Sequence, residues 1–403
     1  MSDGPFVPYL VSWNLTRRCN LRCAHCYIDA SQAMPDELET DRALAVVAEI
    51  AALNPETILI LTGGEPLCRP DLDQIVEAAS GAGMTVVLGT NGTLLAPARA
   101  TELARRGLSA VGISLDSLDR GRHDAFRGLA GAWDAARRGL DAARHAGLEV
   151  QIQVTLTRQN RSELSNFVQF AELAGARVLT VFFLVCTGRG QDLVDLSPEE
   201  YEDALTGLIG LGAGGVMVRP RCAPTFRRIL SQRAPDSILL ATDAGKCLAG
   251  RHYLRIAPDG DVTPCPYIPL SAGSLRDSPL ADIWNDAPLF RSLRHGKLAG
   301  RCGECEFRYE CGGCRARALA LSGDPLGEDP WCAHRPDPTL RRPDPAPGAV
   351  VEWSDEAAER LARVPFFVRS VVKKVVEAHA RREGIERVTA ALMQEARRSL
   401  RKA

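Results

Sequence analysis

The placement of cysteine constrains this chain more than any other feature. Ten of its 13 cysteines fall in two groups: Cys19, Cys23 and Cys26 near the start, and Cys247, Cys265, Cys302, Cys305, Cys311, Cys314 and Cys332 late in the chain. Cys68, Cys186 and Cys222 are left over. A disulfide-built secreted scaffold is denser in cysteine, and thiols grouped a few residues apart in a reducing compartment favour metal over disulfides. The other 390 residues are those of a globular protein, because 45% of the chain is apolar and 25% charged. Its length suggests roughly two to three domains. A formal charge of −1 gives no general attraction to nucleic acid or anionic membrane. The opening MSDGPFVPYL has no basic stretch followed by an apolar one, and the greasiest run, 178–186, is far shorter than the about 20 residues of a membrane span. A cytoplasmic protein with no membrane span and no nucleic-acid partner is expected.

Between residues 10 and 210, short β-branched runs alternate with Ala/Leu/Arg-rich stretches of helical period, the pattern of a parallel sheet with crossover helices. It predicts strands at 10–15, 57–61, 85–89, 110–115, 150–156 and 178–185, and helices at 41–53, 71–81, 97–106, 132–146, 162–174 and 198–210. These six β/α units fall short of a closed barrel. The expected class is therefore α/β: a partial (β/α)6 TIM barrel over residues 1–214, open at the side to a large substrate. In 215–336 helical periodicity fades while Cys, Gly, Pro and Arg rise, so this domain is expected to need metal to hold its shape. Five prolines in the 13 residues 335–347 mark a semi-extended linker over 337–350. Residues 351–403 read as a small C-terminal helical domain of two or three short helices, with 12 Lys+Arg against 8 Asp+Glu.

Cys19-x3-Cys23-x2-Cys26 follows the first predicted strand directly. Three thiolates on one short loop can hold three irons of a [4Fe–4S] cube and leave the fourth open to a chelating small molecule. A zinc knuckle with His25 as fourth ligand is the alternative. Further signals recur after successive strands, where barrel enzymes build their sites: Gly63-Gly64-Glu65-Pro66, Asn91, Ser114 and Asp116, then Arg127 in Phe126-Arg127-Gly128. The cysteine loop and the Gly-Gly-Glu-Pro segment closely resemble the radical S-adenosylmethionine (SAM) enzymes. That resemblance implies SAM chelated at the open iron and cleaved by one electron to a 5′-deoxyadenosyl radical, with Cys19, Cys23 and Cys26 as ligands of the catalytic cluster. It also implies Gly63, Gly64, Glu65 and Pro66 at the SAM amino group, Asn91 as a further SAM contact, and Ser114 and Asp116 near the ribose or carboxylate. Arg127 would pair the carboxylate through its planar fork. His25, where the family usually carries an aromatic, is expected to pack against the cluster or SAM.

The late group resembles the SPASM extension of radical SAM enzymes, which holds two auxiliary [4Fe–4S] clusters. The chain departs from the usual spacing, having two residues, Gly312 and Gly313, between its fifth and sixth cysteines where the family has three. By resemblance Cys302, Cys305, Cys311 and Cys332 ligate a distal cluster, and Cys247, Cys265 and Cys314 a proximal one. Either Cys222 completes the proximal set or one iron stays open for substrate. A pair of zinc ribbons is the alternative. Cys68 and Cys186 are expected to be buried small residues rather than ligands.

Residues 302–332 look like enzymes of d1-type heme synthesis and of the siroheme-dependent heme route. Residues 353–397 resemble the C-terminal module of the dark-operative protochlorophyllide reductase B subunit. Only 18 residues precede Cys19, leaving no room for a leader-peptide-binding domain. The expectation is an oxidoreductase or lyase that modifies a side chain of a tetrapyrrole, a heme or d1-type heme precursor, fed by a low-potential donor such as ferredoxin or flavodoxin. Arg189, Arg221, Arg315 and Arg317 are candidates to neutralise its carboxylates. A maturase of a ribosomally made peptide and a non-catalytic zinc or iron–sulfur scaffold are the alternatives.

Overall fold

The computed structural model describes residues 6–193, 195–211, 215–235, 237–243, 245–340, 351–364, 366–383 and 385–400. Strands β1 (Leu10–Asn14), β2 (Ile58–Thr62), β3 (Thr85–Thr90), β4 (Leu108–Ser114), β5 (Glu149–Leu156) and β6 (Val178–Phe183) lie side by side in chain order, each parallel to the next. Helices α1 (Thr40–Leu53), α2 (Leu72–Gly81), α3 (Pro97–Arg105), α4 (Arg120–Arg127), α5 (Ala132–His145), α6 (Leu164–Leu173) and α7 (Pro198–Leu211) run between and after them. Strand alternation shows why the sheet forms: in β5, Val150, Ile152, Val154 and Leu156 are buried in the apolar core, whereas Gln153 and Thr155 line an interior cavity. Each fully buried Val, Leu or Ile stabilises by about 1.5–3 kcal/mol, so these faces fix the register.

The sheet extends beyond the six predicted strands. The chain adds β7 (Met217–Arg221) beside β6, and β8 (Tyr253–Ile256), β9 (Asp261–Thr263) and β10 (Gly273–Ser274) beside β1, giving the order β10-β9-β8-β1-β2-β3-β4-β5-β6-β7. β7, Met-Val-Arg-Pro-Arg, reads poorly as a strand, yet it is an edge strand paired to β6 alone, where a missing Pro220 N–H costs no ladder bond. α4 escaped prediction because it is short and polar, although its ends carry signals: Asp119 accepts from the Arg122 N–H at 2.8 Å, and Gly128 closes it at φ 69°. Residues 215–336 also hold more helix than their faded periodicity suggests. α8 (Thr225–Arg233), α9 (Leu280–Asp286), α10 (Pro288–His295), α11 (Gly300–Glu304) and α12 (Arg315–Ser322) are each at most 9 residues long, too short for a clear period.

The C-terminal region contains α13 (Asp355–Ala362), α14 (Phe366–Arg382) and α15 (Ala390–Leu400), with a short parallel pair of β11 (Glu352–Trp353) and β12 (Arg387–Val388). It has its own apolar cluster, including Val351, Ala357, Val376, Ala380, Val388 and Leu392. Most of the predicted linker, with Pro365 and Gly384, lies outside the described residues. Among the described residues no helix is long and apolar enough to cross a membrane.

Candidate active site

A cavity of about 340 Å³ opens over the inner face of the sheet, within the about 300–1,000 Å³ usual for small-molecule sites. Inward residues of successive strands wall it: Ser12, Thr62, Gly89, Ser114, Thr155 and Phe182. Cys19, Cys23 and Cys26 line one end and Cys222, Cys247, Cys265 and Cys314 another.

The first cysteine loop is held by its backbone. Gly64 N–H donates to Thr16 O at 2.7 Å and Glu65 N–H to Arg18 O at 2.8 Å, fixing the chain just ahead of Cys19. This approach requires glycine: a Cβ on Gly64 would sit 2.3 Å from Arg18 O, and Gly63 has φ 129°. Ala24 N–H donates to Phe126 O at 2.9 Å, and Arg189 Nε donates to Cys23 O at 2.9 Å. Asn91 lines the cavity and donates through Nδ2 to Asn20 Oδ1 at 2.9 Å, tying the loop to the end of β3.

Several of the residues expected at SAM also brace their neighbours. Glu65 is fully buried and does not line the cavity; its carboxylate accepts from Thr90 Oγ1 at 2.8 Å, Asn91 N at 2.9 Å and Leu67 N at 3.1 Å. Burial pushes its pKa up against these three donors. Pro66 is buried beside it, also off the cavity wall. Asp116 is likewise buried and off the wall: both its contacts with Arg127, through Nε and Nη2, are 2.6 Å. Burial works against the ionised Asp116 carboxyl, but Arg127 holds its pKa below the usual carboxylate range. Arg127 reaches the cavity with its fork already engaged, since Nη1 also lies 3.7 Å from Cys23 Sγ. Asp116 thus aims Arg127 at the cysteine loop. Ser114 does line the cavity. His25 also lines it and stacks on Phe126 with centroids 4.5 Å apart and planes at 4°. Burial lowers the His25 pKa to about 4, so its ring is neutral.

The late cysteines sort into two places. Cys222, Cys247, Cys265 and Cys314 share an apolar pocket on the large cavity, whereas Cys302, Cys305, Cys311 and Cys332 line a separate small one with Arg228, Arg301 and His334. Cys222 has φ 57°, which turns the chain sharply after β7. Arg317 clamps that turn: Nη1 donates to the Cys222 carbonyl and to Tyr201 Oη at 2.9 Å, Nη2 to Leu184 O at 2.9 Å. Arg315 donates to Gly327 O at 2.8 Å and Pro325 O at 3.0 Å. Both arginines, expected at substrate carboxylates, are therefore buried struts. Arg189 is committed to the first loop. Of the four, Arg221 lines the cavity without a hydrogen bond or ion pair among the described residues. Cys68 and Cys186 are half-buried rather than buried, and neither lines the cavity. Lys246, Tyr27, Tyr253 and Tyr267 line it without any sequence signal beyond the adjacency of Tyr27 to Cys26 and Lys246 to Cys247.

Three models of known families match the chain: the radical SAM superfamily over residues 13–171, the iron–sulfur cluster-binding SPASM domain over 247–306, and the proto-chlorophyllide reductase 57 kD subunit over 353–397. An AdoMet-dependent heme synthase of Methanosarcina barkeri is 38% identical over 82% of this chain and 97% of its own. The chain belongs to the radical SAM superfamily. A pre-heme d1 synthase of Dinoroseobacter shibae is 32% identical over 80% of this chain and 85% of its own, and a mycofactocin maturase, MftC, of Mycobacterium tuberculosis 33% over 84% and 86%. The fold matches that of Streptococcus suis SuiB bound to S-adenosylmethionine, with a TM-score of 0.65, 16% identity and coverage of 82% of this chain and 78% of that one.

As a radical SAM protein with a SPASM domain, the chain is an enzyme that uses SAM and [4Fe–4S] clusters. The donor sets fit them. A tetrahedral zinc with bonds of about 2.3 Å draws its sulfurs to within about 4 Å of one another. Among the described residues only Cys305, Glu306 and His334 offer three donor atoms all within 4.8 Å, so neither the first trio nor the second quartet is gathered around a point ion. In that tight group His334 Nε2 already bonds Glu306 Oε1 at 2.9 Å. Burial pushes the thiols of Cys19 and Cys222 up to about 12, and neighbouring sulfurs add to this.

Proposed function

We propose that this radical SAM enzyme acts on an acidic side chain of a tetrapyrrole, a heme or d1-type heme precursor, leading to loss or rearrangement of that side chain. One observation carries the reading: the first cysteine trio, a second cysteine quartet and the unpaired guanidinium of Arg221 face one cavity. An arginine fork without an internal partner suits a carboxylate-bearing substrate. The relatives named for heme and pre-heme d1 synthesis support the same class.

Cys19, Cys23 and Cys26 would hold the catalytic cluster, with Gly63, Gly64, Asn91 and Ser114 around SAM. When bound, the reduced cluster and SAM would supply a 5′-deoxyadenosyl radical able to take hydrogen from an unactivated carbon. Glu65 and Asp116 support that site from behind, keeping the β3 turn and Arg127 in place. Cys222, Cys247, Cys265 and Cys314 would hold the proximal auxiliary cluster, and Cys302, Cys305, Cys311 and Cys332 the distal one, giving the leftover electron an acceptor near substrate. A ferredoxin or flavodoxin would feed the first cluster, in a cytoplasm that keeps the thiols reduced.

Anaerobic reconstitution should give about twelve irons per chain and 5′-deoxyadenosine under dithionite. Offered siroheme derivatives and iron–coproporphyrin III, the enzyme should return a product of altered mass. No change across that series, with conversion of a short peptide instead, would give the maturase reading; tightly bound zinc and no 5′-deoxyadenosine would leave only a scaffold.

A further inference from the structure

Lys246, like Arg221, lines the cavity; it stands one residue before Cys247, and its Nζ donates to Asp243 Oδ1 at 3.1 Å. The same carboxylate takes two further donors through Oδ2: the Tyr9 hydroxyl at 3.1 Å and the ammonium of Lys374. Lys374 lies on α14, in the C-terminal module, 5.1 Å above the Tyr9 ring. α14 packs against the short turn Ile238–Ala241 that precedes Asp243. One carboxylate is thus shared by a lysine of the cavity wall and a lysine of the C-terminal module.

The charge count gives this arrangement a consequence. With Lys374 in place, one negative charge faces two ammoniums, and the surplus positive charge lies at the cavity wall. Arg227 and Arg251 add to that field, with Glu310 the acid opposing it at Lys246. Without Lys374, Asp243 pairs Lys246 alone and cancels it. Asp243 and Lys374 are only 17% and 29% exposed, so solvent does not fully screen the exchange.

We propose that Lys246 is a second substrate-carboxylate contact beside Arg221, and that the C-terminal module sets its availability by clasping Asp243 through Lys374. This rests on the tetrapyrrole reading. Lys246 touches substrate; Asp243 and Lys374 are positioning residues. The module then acts as a specificity element for acidic macrocycles, although among the described residues it contributes no side chain of its own to the cavity wall.

The test measures binding of iron–coproporphyrin III, and of its methyl ester, to the reconstituted full-length enzyme by the porphyrin absorbance shift. Wild type should prefer the free acid. Lys374→Gln should weaken the free acid about tenfold, the scale of one lost charge-assisted contact, and leave the ester unchanged; Lys374→Arg should restore it. Lys246→Met should weaken the free acid to a similar extent, leaving the share of the preference that Arg221 supplies, and should make binding insensitive to what stands at 374. In turnover the Lys374→Gln effect should fall on KM rather than kcat. Equal binding of the free acid by wild type and Lys374→Gln would overturn the proposal while leaving the tetrapyrrole reading intact. Failure of wild type to bind either porphyrin would overturn both.

Discussion

Arg317 has almost no exposed surface, and its hydrogen bonds go to Tyr201 and to main-chain carbonyls at the ends of β6 and β7. Its effect is to hold Cys222, a leftover in the sequence, on the same wall as Cys247, Cys265 and Cys314. Cys222→Ala should therefore cost about one of three four-iron clusters, with 5′-deoxyadenosine formation retained; unchanged iron content would return the proximal cluster to three protein ligands. A second buried arginine acts near the first loop: Arg69 pairs Asp71 through Nε at 2.6 Å and Nη2 at 2.9 Å and donates to Leu15 O and Leu38 O. Burial opposes the Asp71 charge, but Arg69 holds its pKa below the normal value. A carboxyl depressed in the folded state contributes stability above its unfolded pKa and loses it as pH falls through the folded one. Asp71→Asn should destabilise by about 3–5 kcal/mol near neutrality, and the difference from wild type in chemical unfolding should shrink below about pH 4. A gap constant down to pH 3 would assign the loss to packing.

At the scale of elements, the turn between Cys311 and Cys314 decides whether the shortened cysteine spacing can work. Gly312 and Gly313 are both left-handed, at φ 68° and 69°. A Cβ on Gly313 would lie 2.9 Å from Cys302 Sγ and 2.8 Å from Asp329 Cβ. The missing residue is accommodated by a tight double-glycine turn that sends Cys311 to one cysteine group and Cys314 to the other. Gly313→Ala should lower iron bound by the distal set, read from iron content and electron paramagnetic resonance. Gly323→Ala is the control: φ is 72°, but its Cβ meets nothing within 4 Å, so only strain of about 1–2 kcal/mol is added. Equal iron in both variants would mean that the distal site absorbs the clash with Cys302.

For the whole molecule, the contrast is between a β/α core with a continuous apolar interior and a cysteine-rich region with much less of its own. The core cluster runs from Val11 to Phe290, whereas the pocket around the second quartet has Val185, Ala249, Ile268, Cys314 and Ala316 as its buried members. Stripping iron anaerobically should leave most far-ultraviolet circular dichroism intact while residues 300–335, beyond the end of that core cluster, gain hydrogen exchange and protease sensitivity. Loss of all structure at once would mean that the barrel, too, depends on the clusters.

The alternating strands, the helical spacing and the cysteine intervals are local, so the parallel core, the first cysteine loop and the presence of a second metal-binding region were legible from residue order. It also showed that Arg127, Asp116 and Glu65 lie after core strands. Which partner each side chain takes depends on contacts across many residues, and these came from the folded chain alone: Glu65 turns to Asn91, Asp116 to Arg127, Arg317 to Cys222. The edge strand Met217–Arg221 and the link from Lys374 to the cavity wall were hidden for the same reason. Spacing along a chain records periodicity, whereas the partner of a buried charge is set by where the backbone brings distant segments together.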